Sequence, residues 1–477
     1  MRVDRNSPEA VCARMPERAE QTDRVLVQLD HLLDDDQLYQ RVRADLACRY
    51  RLTPVHGRHS TPAAVLLRLL VVQHLYAWSY AETVARVADS LVLRWFCQVY
   101  FRRVPAKTTL LRWAQTLRPE TLQALTDRAA LLAQQAKVTR ARKLRLDSTC
   151  VQTPIHHPTD SGLLGDGVRV LTRLIQRAKP LVGDRLAGVR DAFRSRLRAV
   201  RRLLQQVHRV RRVKGEEAAE QQRGLYQRLL ATARQTQRHA ERVRDALQTP
   251  SPAAASARAT GRLLDQLDRF LPLVARGIQQ AQRRVLAGQL VPSTEKVLSL
   301  FEPHTRVVKR GKLGAAVEFG RQVVFDEVEG GIVTRFAVLA DDQSETRQVL
   351  PALQHHQVVF GRPPWLVTGD RRLHTTGLEE QAHELGVTHV VIPRIGRLTA
   401  TQRARERQRA WKRRYRWRAG IEGRIYSLRR DYGLARCRSH GLVGLERDVG
   451  WGVLASNLRH LAAAQVRRQV SATQRAA

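Results

Sequence analysis

Three carboxylates and one short basic run carry the chemistry legible in this sequence. Near its end, the segment WKRRYRWRAGIEGRIYSLRR holds Tyr415, Arg418, Glu422 and Arg429 at spacings of 3, 4 and 7 residues. On an α-helix these offsets predict one shared face. A phenol, two guanidiniums and a carboxylate in one stripe make a poor core and a good grip for a phosphate beside a metal ion. Far upstream, Asp147 closes the strand-like KLRLD, and Asp370 closes the short apolar run PPWLVTGD. Carboxylates at neighbouring strand ends can hold two divalent cations about 3.5–4 Å apart, which activate a water or a 3′-hydroxyl and stabilise the leaving oxygen of an in-line phosphoryl displacement. Hard oxygen ligands suit Mg²⁺ or Mn²⁺. Glu422 would complete the metal set of Asp147 and Asp370. Arg418 and Arg429 would hold flanking phosphates, and Tyr415 would stack on a base or donate to a phosphate.

The whole chain is built for a polyanion. Its 477 residues carry a formal net charge of +39, and only nine of the 83 basic residues are Lys. Each neutralised phosphate releases condensed counterions, and Arg suits bidentate phosphate contacts; the Arg bias equally fits a GC-rich genome. A hydrophobic fraction of 43% excludes a disordered polyelectrolyte, and the length predicts two to four domains. Five scattered cysteines without a C-x-x-C pair argue against a disulfide framework or zinc finger and for a reducing compartment. The sequence shows neither an apolar signal segment nor a membrane-span run, so no membrane partner is expected.

The elements that must position the site follow from periodicity. Residues 1–24 read as a flexible tail and 25–140 as helices. Within these, Ser60 is expected to cap a buried helix through Pro62 and Ala63 to Ala77, and Ser79 with Glu82 forms a capping-box pattern. In KTTLLRWAQTL, Thr108 is the expected cap and Leu110, Leu111 and Ala114 the apolar face. Lys107 and Arg112 stay outside, as in a helix-turn-helix that reads DNA; a plain helical bundle is the alternative. Strand signals in KLRLDSTCVQTPIH, from Lys143, are followed by a loop-like HPTDSGLLGDG. Residues 168–290 read as an all-helical block, with Leu186, Val189, Phe193, Leu197, Val200, Leu204 and Val207 as one amphipathic stripe. Its arginines are either a solvated face or a clamp on DNA phosphates. Strands return at 296–345, including KVLSLFEP, with Gly330-Gly331 as a hairpin turn. Asp160 and Asp166 read as loop caps. Asp326, Glu327, Asp341 and Asp342 read as turn residues, and Lys309 and Lys312 as candidate phosphate contacts.

Several blocks, in order, resemble DDE transposases of bacterial insertion sequences. Tyr415, Arg418, Glu422 and Arg429 match the group's Tyr-Arg-Glu-Lys signature, with Arg at the fourth position. LDSTCVQTPIHHPTDSGLLGDG resembles the D-S-T…H-x-P-T-D-S block of an ISNCY-like subgroup, VTGDRRLHTTG the second-aspartate block, and RVVKRGKLGAAVEFGR the segment between. The resemblance implies an α/β chain with a ribonuclease H-like (retroviral integrase-like) catalytic core at 141–167 and 291–463. It also implies an N-terminal helical DNA-binding domain at 25–140 and a large helical insertion at 168–290; a basic tail at 464–477 follows. Asp147, Asp370 and Glu422 become the catalytic metal ligands for Mg²⁺ or Mn²⁺, and Tyr415, Arg418, Arg429, Lys309, Lys312, Lys107 and Arg112 the candidate DNA contacts. The implied activity is cleavage at terminal inverted repeats and transfer of 3′-hydroxyl ends into target DNA, by a homodimer on double-stranded DNA in the bacterial cytoplasm at the nucleoid. A metal-dependent nuclease without strand transfer, or a non-catalytic DNA-binding derivative, are the rival readings.

Overall fold

The computed structural model describes residues 23–48, 61–249, 254–312, 315–341 and 343–476. In chain order the helices are α1 (Arg24–Leu33), α2 (Asp36–Ala47), α3 (Ala63–Leu75), α4 (Tyr80–Asp89), α5 (Leu91–Phe96), α6 (Lys107–Ala114), α7 (Pro119–Gln135), α8 (Asp160–Val182), α9 (Leu197–Val210), α10 (Glu216–Gln248), α11 (Ala254–Ala281), α12 (Val349–Phe360), α13 (Leu378–Glu384), α14 (Ala400–Arg407), α15 (Arg409–Arg416), α16 (Gly420–Asp431) and α17 (Leu442–Ala476). The strands are β1 (Lys143–Gln152), β2 (Arg306–Lys312), β3 (Ala315–Val328), β4 (Ile332–Val338), β5 (Leu366–Gly369) and β6 (His389–Val391). The chain divides into two compact units, 1–153 with 321–477, and 154–320.

In the first unit α3 is buried at every position, Arg68 included. That arginine is 1% exposed and is neutralised by Asp30 and Asp34 at 3.0 Å each, as a buried charge requires. The capping box of Ser79 and Glu82 forms. The expected cap at Ser60 and most of the expected N-terminal tail lie outside the described residues. At α6 the expectation needs correction: Ala106, not Thr108, is the N-cap, and Trp113 rather than Leu111 joins Leu110 and Ala114 inside. Indole area outweighs leucine area when a short helix chooses its buried side. No described helix is long and apolar enough to cross a membrane.

The sheet runs β2–β3–β1–β5–β6, with β4 also paired to β3. β1, β5 and β6 are parallel neighbours, whereas β3 and β4 form an antiparallel hairpin closed by Gly330 and Gly331, both at positive φ. The Asn457 side chain on α17 clamps the edge strand, its Oδ1 accepting from the Val333 amide at 2.9 Å and its Nδ2 donating to the Val333 carbonyl at 2.6 Å. Helix α17 runs on through 464–476, so those basic residues are its last turns rather than a separate tail.

The second unit has its own core, drawn from α8, α9, α10 and α11. Here too the pattern misled. HPTDSGLLGDG is not all loop: α8 starts at Asp160, capped by Thr159, whose Oγ1 accepts from the Gly162 amide at 3.0 Å. The glycines that read as a loop are packing positions. A Cβ on Gly165 would meet Leu204 at 2.7 Å, and one on Gly167 would meet Val274 at 3.2 Å. Asp160 is consequently buried against Gln280 and Arg284, and Asp166 pairs with Arg169. The stripe beginning at Leu186 is not one helix either. The chain turns between Val182 and Leu197, with Leu186 in a short 3₁₀ helix, Asp184–Leu186, and only the Leu197–Val210 part is α-helical. KVLSLFEP forms no strand; Val297 and Leu300 fill the helical core instead.

Candidate active site

The register of two parallel strands brings the distant aspartates together. β1 pairs with β5 from Lys143↔Leu366 to Leu146↔Gly369. The next residues along the chain are Asp147, still within β1, and Asp370, just past the end of β5, so they follow side by side where the pairing ends, on segments about 4.8 Å apart. Asp147 is not the end of β1, which continues to Gln152; it marks the end of the β5 pairing. Its Oδ1 accepts from the Ser148 amide at 2.8 Å, and Asp370 Oδ1 accepts from the Arg371 amide at 2.6 Å. Burial raises the Asp147 pKa above the ordinary carboxylate value; Asp370 and Glu422 raise it further, and the Ser148 amide and Arg418 oppose them.

Arg418 joins the third carboxylate to the first. Its Nη1 lies 3.4 Å from Asp147 Oδ2 and its Nη2 2.7 Å from Glu422 Oε1. Glu422 remains 61% exposed at its side chain, against 19% for Asp147. Among the described residues no three His, Cys, Asp or Glu side chains are grouped as they would be around a metal; a guanidinium bridges two of these carboxylates instead. The donor set itself, carboxylate oxygens only, fits Mg²⁺ or Mn²⁺ and not zinc.

The four signature residues do not share one helix, which corrects the single-stripe expectation. Tyr415 lies in the last turn of α15, Arg418 sits in a 3₁₀ turn at Trp417–Ala419, and Glu422 and Arg429 lie on α16. The cause is Arg145 on β1, whose Nη1 donates to the Trp417 carbonyl at 2.7 Å while its guanidinium lies 4.6 Å from the Trp417 ring centroid. That carbonyl is thereby shared away from a regular α-helical ladder. Gly420 makes room for the guanidinium, because a Cβ there would overlap Arg145.

Three alternate residues of β1 thus grip this segment. Arg145 holds Trp417, Asp147 holds Arg418, and Thr149 Oγ1 accepts from Arg429 Nη1 at 2.9 Å, with the Cys150 carbonyl accepting at 3.0 Å. Arg429 braces α16 against the strand. The Tyr415 ring stacks on Trp411, with centroids 5.1 Å apart, and Arg418 lies 5.9 Å from the Tyr415 ring.

Behind this surface lies a charge cluster that reading the sequence missed. Glu327, read as a turn residue, is on β3 and fully buried; Arg145 donates to its two oxygens at 2.9 and 2.7 Å. Arg424 of α16 sits 3.7 Å from Glu327, and burial followed by repulsion from Arg145 lowers its pKa against the pull of Glu327. The ring of His460 lies 3.1 Å from Arg424, and burial, then Arg424, depress it to about 4. Asp326 is likewise a buried strand residue paired with Arg335 at 2.9 Å, whereas Asp341 lies in a turn and pairs with Arg321. Asp342 is outside the described residues. The available signal was a charge inside each apolar run, Arg145 in KLRLD and Glu327 in VVFDEVEG. On the other side of Asp147, the Ser148 hydroxyl donates to Glu345 at 2.6 Å and accepts from Gln322 at 3.0 Å.

Lys107 and Arg112 are exposed on α6, and Lys309 is exposed on β2 of the second unit; the Lys312 side chain is outside the described part.

Two family models match the chain. A transposase domain (DUF772) matches residues 14–116, and a transposase DDE domain matches residues 380–462. Both are transposase domains. They support a DNA transposase with a DDE-type catalytic domain, a nuclease and polynucleotidyl transferase class that generally uses divalent metals. The second match contains Tyr415, Arg418, Glu422 and Arg429; Asp147 and Asp370 lie outside both. No curated protein and no solved structure matches the chain.

Proposed function

We propose that this transposase binds the terminal inverted repeats of its own element, cleaves the element ends and joins the freed 3′-hydroxyls to target DNA without a covalent protein–DNA intermediate. The adjacency of Asp147 and Asp370 at the end of the β1–β5 pairing carries the reading. The strand order β4–β3–β1–β5–β6, with a hairpin on one side and parallel strands on the other, fits a ribonuclease H-like core. Asp147, Asp370 and Glu422 would hold Mg²⁺ or Mn²⁺, which when bound activates the attacking oxygen and stabilises the leaving one. Arg418 neutralises Asp147 and Glu422 in the protein alone and turns to the phosphate beside the cleaved bond when the carboxylates are otherwise neutralised. Tyr415 and the Trp411 stack beneath it offer a surface for a base. Arg429 acts through β1, holding α16 so that Glu422 faces the aspartates. The N-terminal helices with Lys107 and Arg112 contact repeat DNA, and Lys309 and Lys312 contact flanking phosphates. Pairing two ends calls for a homodimer, working on the nucleoid in the bacterial cytoplasm.

Labelled DNA carrying an element end, incubated with Mg²⁺ and target plasmid, tests this. Wild type should nick the end and join it, and Glu422→Gln should bind but do neither. Nicking without joining supports a nuclease instead. Binding without metal-dependent cutting by the wild type supports a non-catalytic DNA-binding protein.

A further inference from the structure

One face of the second unit carries charge that no ion pair among the described residues balances. That unit, 154–320, contains 32 Lys and Arg against 14 Asp and Glu. The excess is concentrated: residues 192–215 hold nine basic residues and no carboxylate. Three of the nine are used internally, Arg212 among them, which bonds the exposed His208 ring at 3.1 Å. Arg194 pairs with Asp191 at 3.3 Å, and buried Arg196 bonds Gln235 and His239 at 3.1 Å each. From Arg198 onward the pattern changes. Helix α9 turns Val200, Leu203 and Val207 into the core and leaves Arg198, Arg201, Arg202 and Arg209 exposed. None of those four has an ion-pair partner among the described residues.

Arg198, Arg202, Gln205, Arg209 and Arg212 follow one another at steps of 4, 3, 4 and 3 residues, which is a single row on the helix and its C-terminal turn. The row is about 21 Å long at 1.5 Å per residue. One strand of duplex DNA presents roughly six phosphates over that length at about 3.4 Å each.

A merely solvated face would be built differently. Like charges at i and i+4 destabilise a helix, and opposite charges there stabilise it. Helix α11 of the same unit follows that rule from Arg262 onward, where exposed Asp265 lies three residues after Arg262 and four before Arg269. Helix α9 keeps its repulsion. We infer that the outer face of α9, centred on Arg198, Arg202 and Arg209, is a binding site for the phosphate backbone of duplex DNA, read without regard to base sequence. The inference deepens the transposase reading and rests on it for the choice of polyanion.

The full chain and its R198Q/R202Q/R209Q variant are titrated into a fluorescein-labelled mixed-sequence duplex of roughly 30 base pairs, several times the α9 row. EDTA is present, so that cleavage plays no part, and salt is varied. Three lost phosphate contacts should flatten the slope of log K against log salt by about 2.7 and weaken binding on the order of 10- to 100-fold, equally for all sequences. Circular dichroism and melting should match wild type, because Gln keeps helix propensity. The R198K/R202K/R209K variant should restore the slope, and R258Q/R262Q/R269Q on α11 should leave it nearly unchanged. An unchanged slope in the α9 Gln variant overturns the inference. So does equal loss in the α11 variant, or a change confined to oligomeric state, to anionic vesicles or to RNA. Wild type that binds no duplex at all sinks the transposase reading itself, a result distinct from any of these.

Discussion

Helix α16 separates two clusters made from the same chemistry. On its inner side Glu327 meets Arg145 and Arg424; on its outer side Glu422 and Asp147 meet Arg418. The inner carboxylate is fully buried and takes both of its short bonds from one guanidinium. The outer ones are partly open: Glu422 is mostly exposed, and Arg418 reaches Asp147 only at 3.4 Å. Saturated charges fix geometry, because any exchange would strand a buried ion. Incompletely neutralised charges at the surface can trade partners, so the proposed chemistry belongs to the outer cluster. The inner one fixes the frame on which that cluster is held.

The comparison can be broken most forcefully from inside. Glu327→Gln leaves Arg145 and Arg424 without a buried counter-charge and should cost about 3–5 kcal/mol of stability, read by urea denaturation. Stability within 1 kcal/mol of wild type, on the scale of a surface pair, would mean that the inner cluster is not the anchor. The outer counterpart, Glu422→Gln, should melt like wild type yet lose more than roughly 100-fold in metal-dependent strand cleavage, beyond what supporting groups of a metal site contribute.

A third variant tests the link between the clusters. Gly420→Ala places a methyl where the Arg145 guanidinium passes; it should destabilise by about 1–3 kcal/mol through overpacking and lower cleavage by the folded protein. Unimpaired cleavage would show that the Trp417 turn does not position Glu422.

The smallest effect sharpens the contrast instead. Arg418→Gln removes a cation from Asp147 and Glu422, so Mn²⁺ should bind about 5- to 10-fold more tightly near neutral pH, a change of about 1–1.4 kcal/mol, measured calorimetrically without DNA. The sign in pH follows from Asp147. Its pKa lies above the ordinary value and Arg418 holds it down, so metal affinity should fall as acidification protonates it, and in the variant that fall should begin at higher pH. Weaker Mn²⁺ binding by the variant would make Arg418 a support of the ligand set rather than its competitor.

The sequence by itself determined much of the local structure. The capping box at Ser79 and Glu82, the buried α3, the long α10 and the β1 and β5 strands follow from periodicity and end signals, which act over a few residues. The outline of the candidate site was legible for the same reason, since Asp370 lies where a strand signal stops, Asp147 lies within another and Glu422 lies in a basic helix. Only the tertiary structure decided the rest. Glycines in α8 looked like loop residues because the side chains they admit, Leu204 and Val274, are distant in sequence. The signature stripe was broken at Trp417 by Arg145, a residue 272 positions away. Strand register, not spacing, set Asp147 beside Asp370, and burial turned Glu327 from an apparent turn residue into the counter-ion of two arginines. Charges and apolar periods are written locally, whereas which charges are buried, and by which partners they are neutralised, depends on contacts that exist only after the chain has closed on itself.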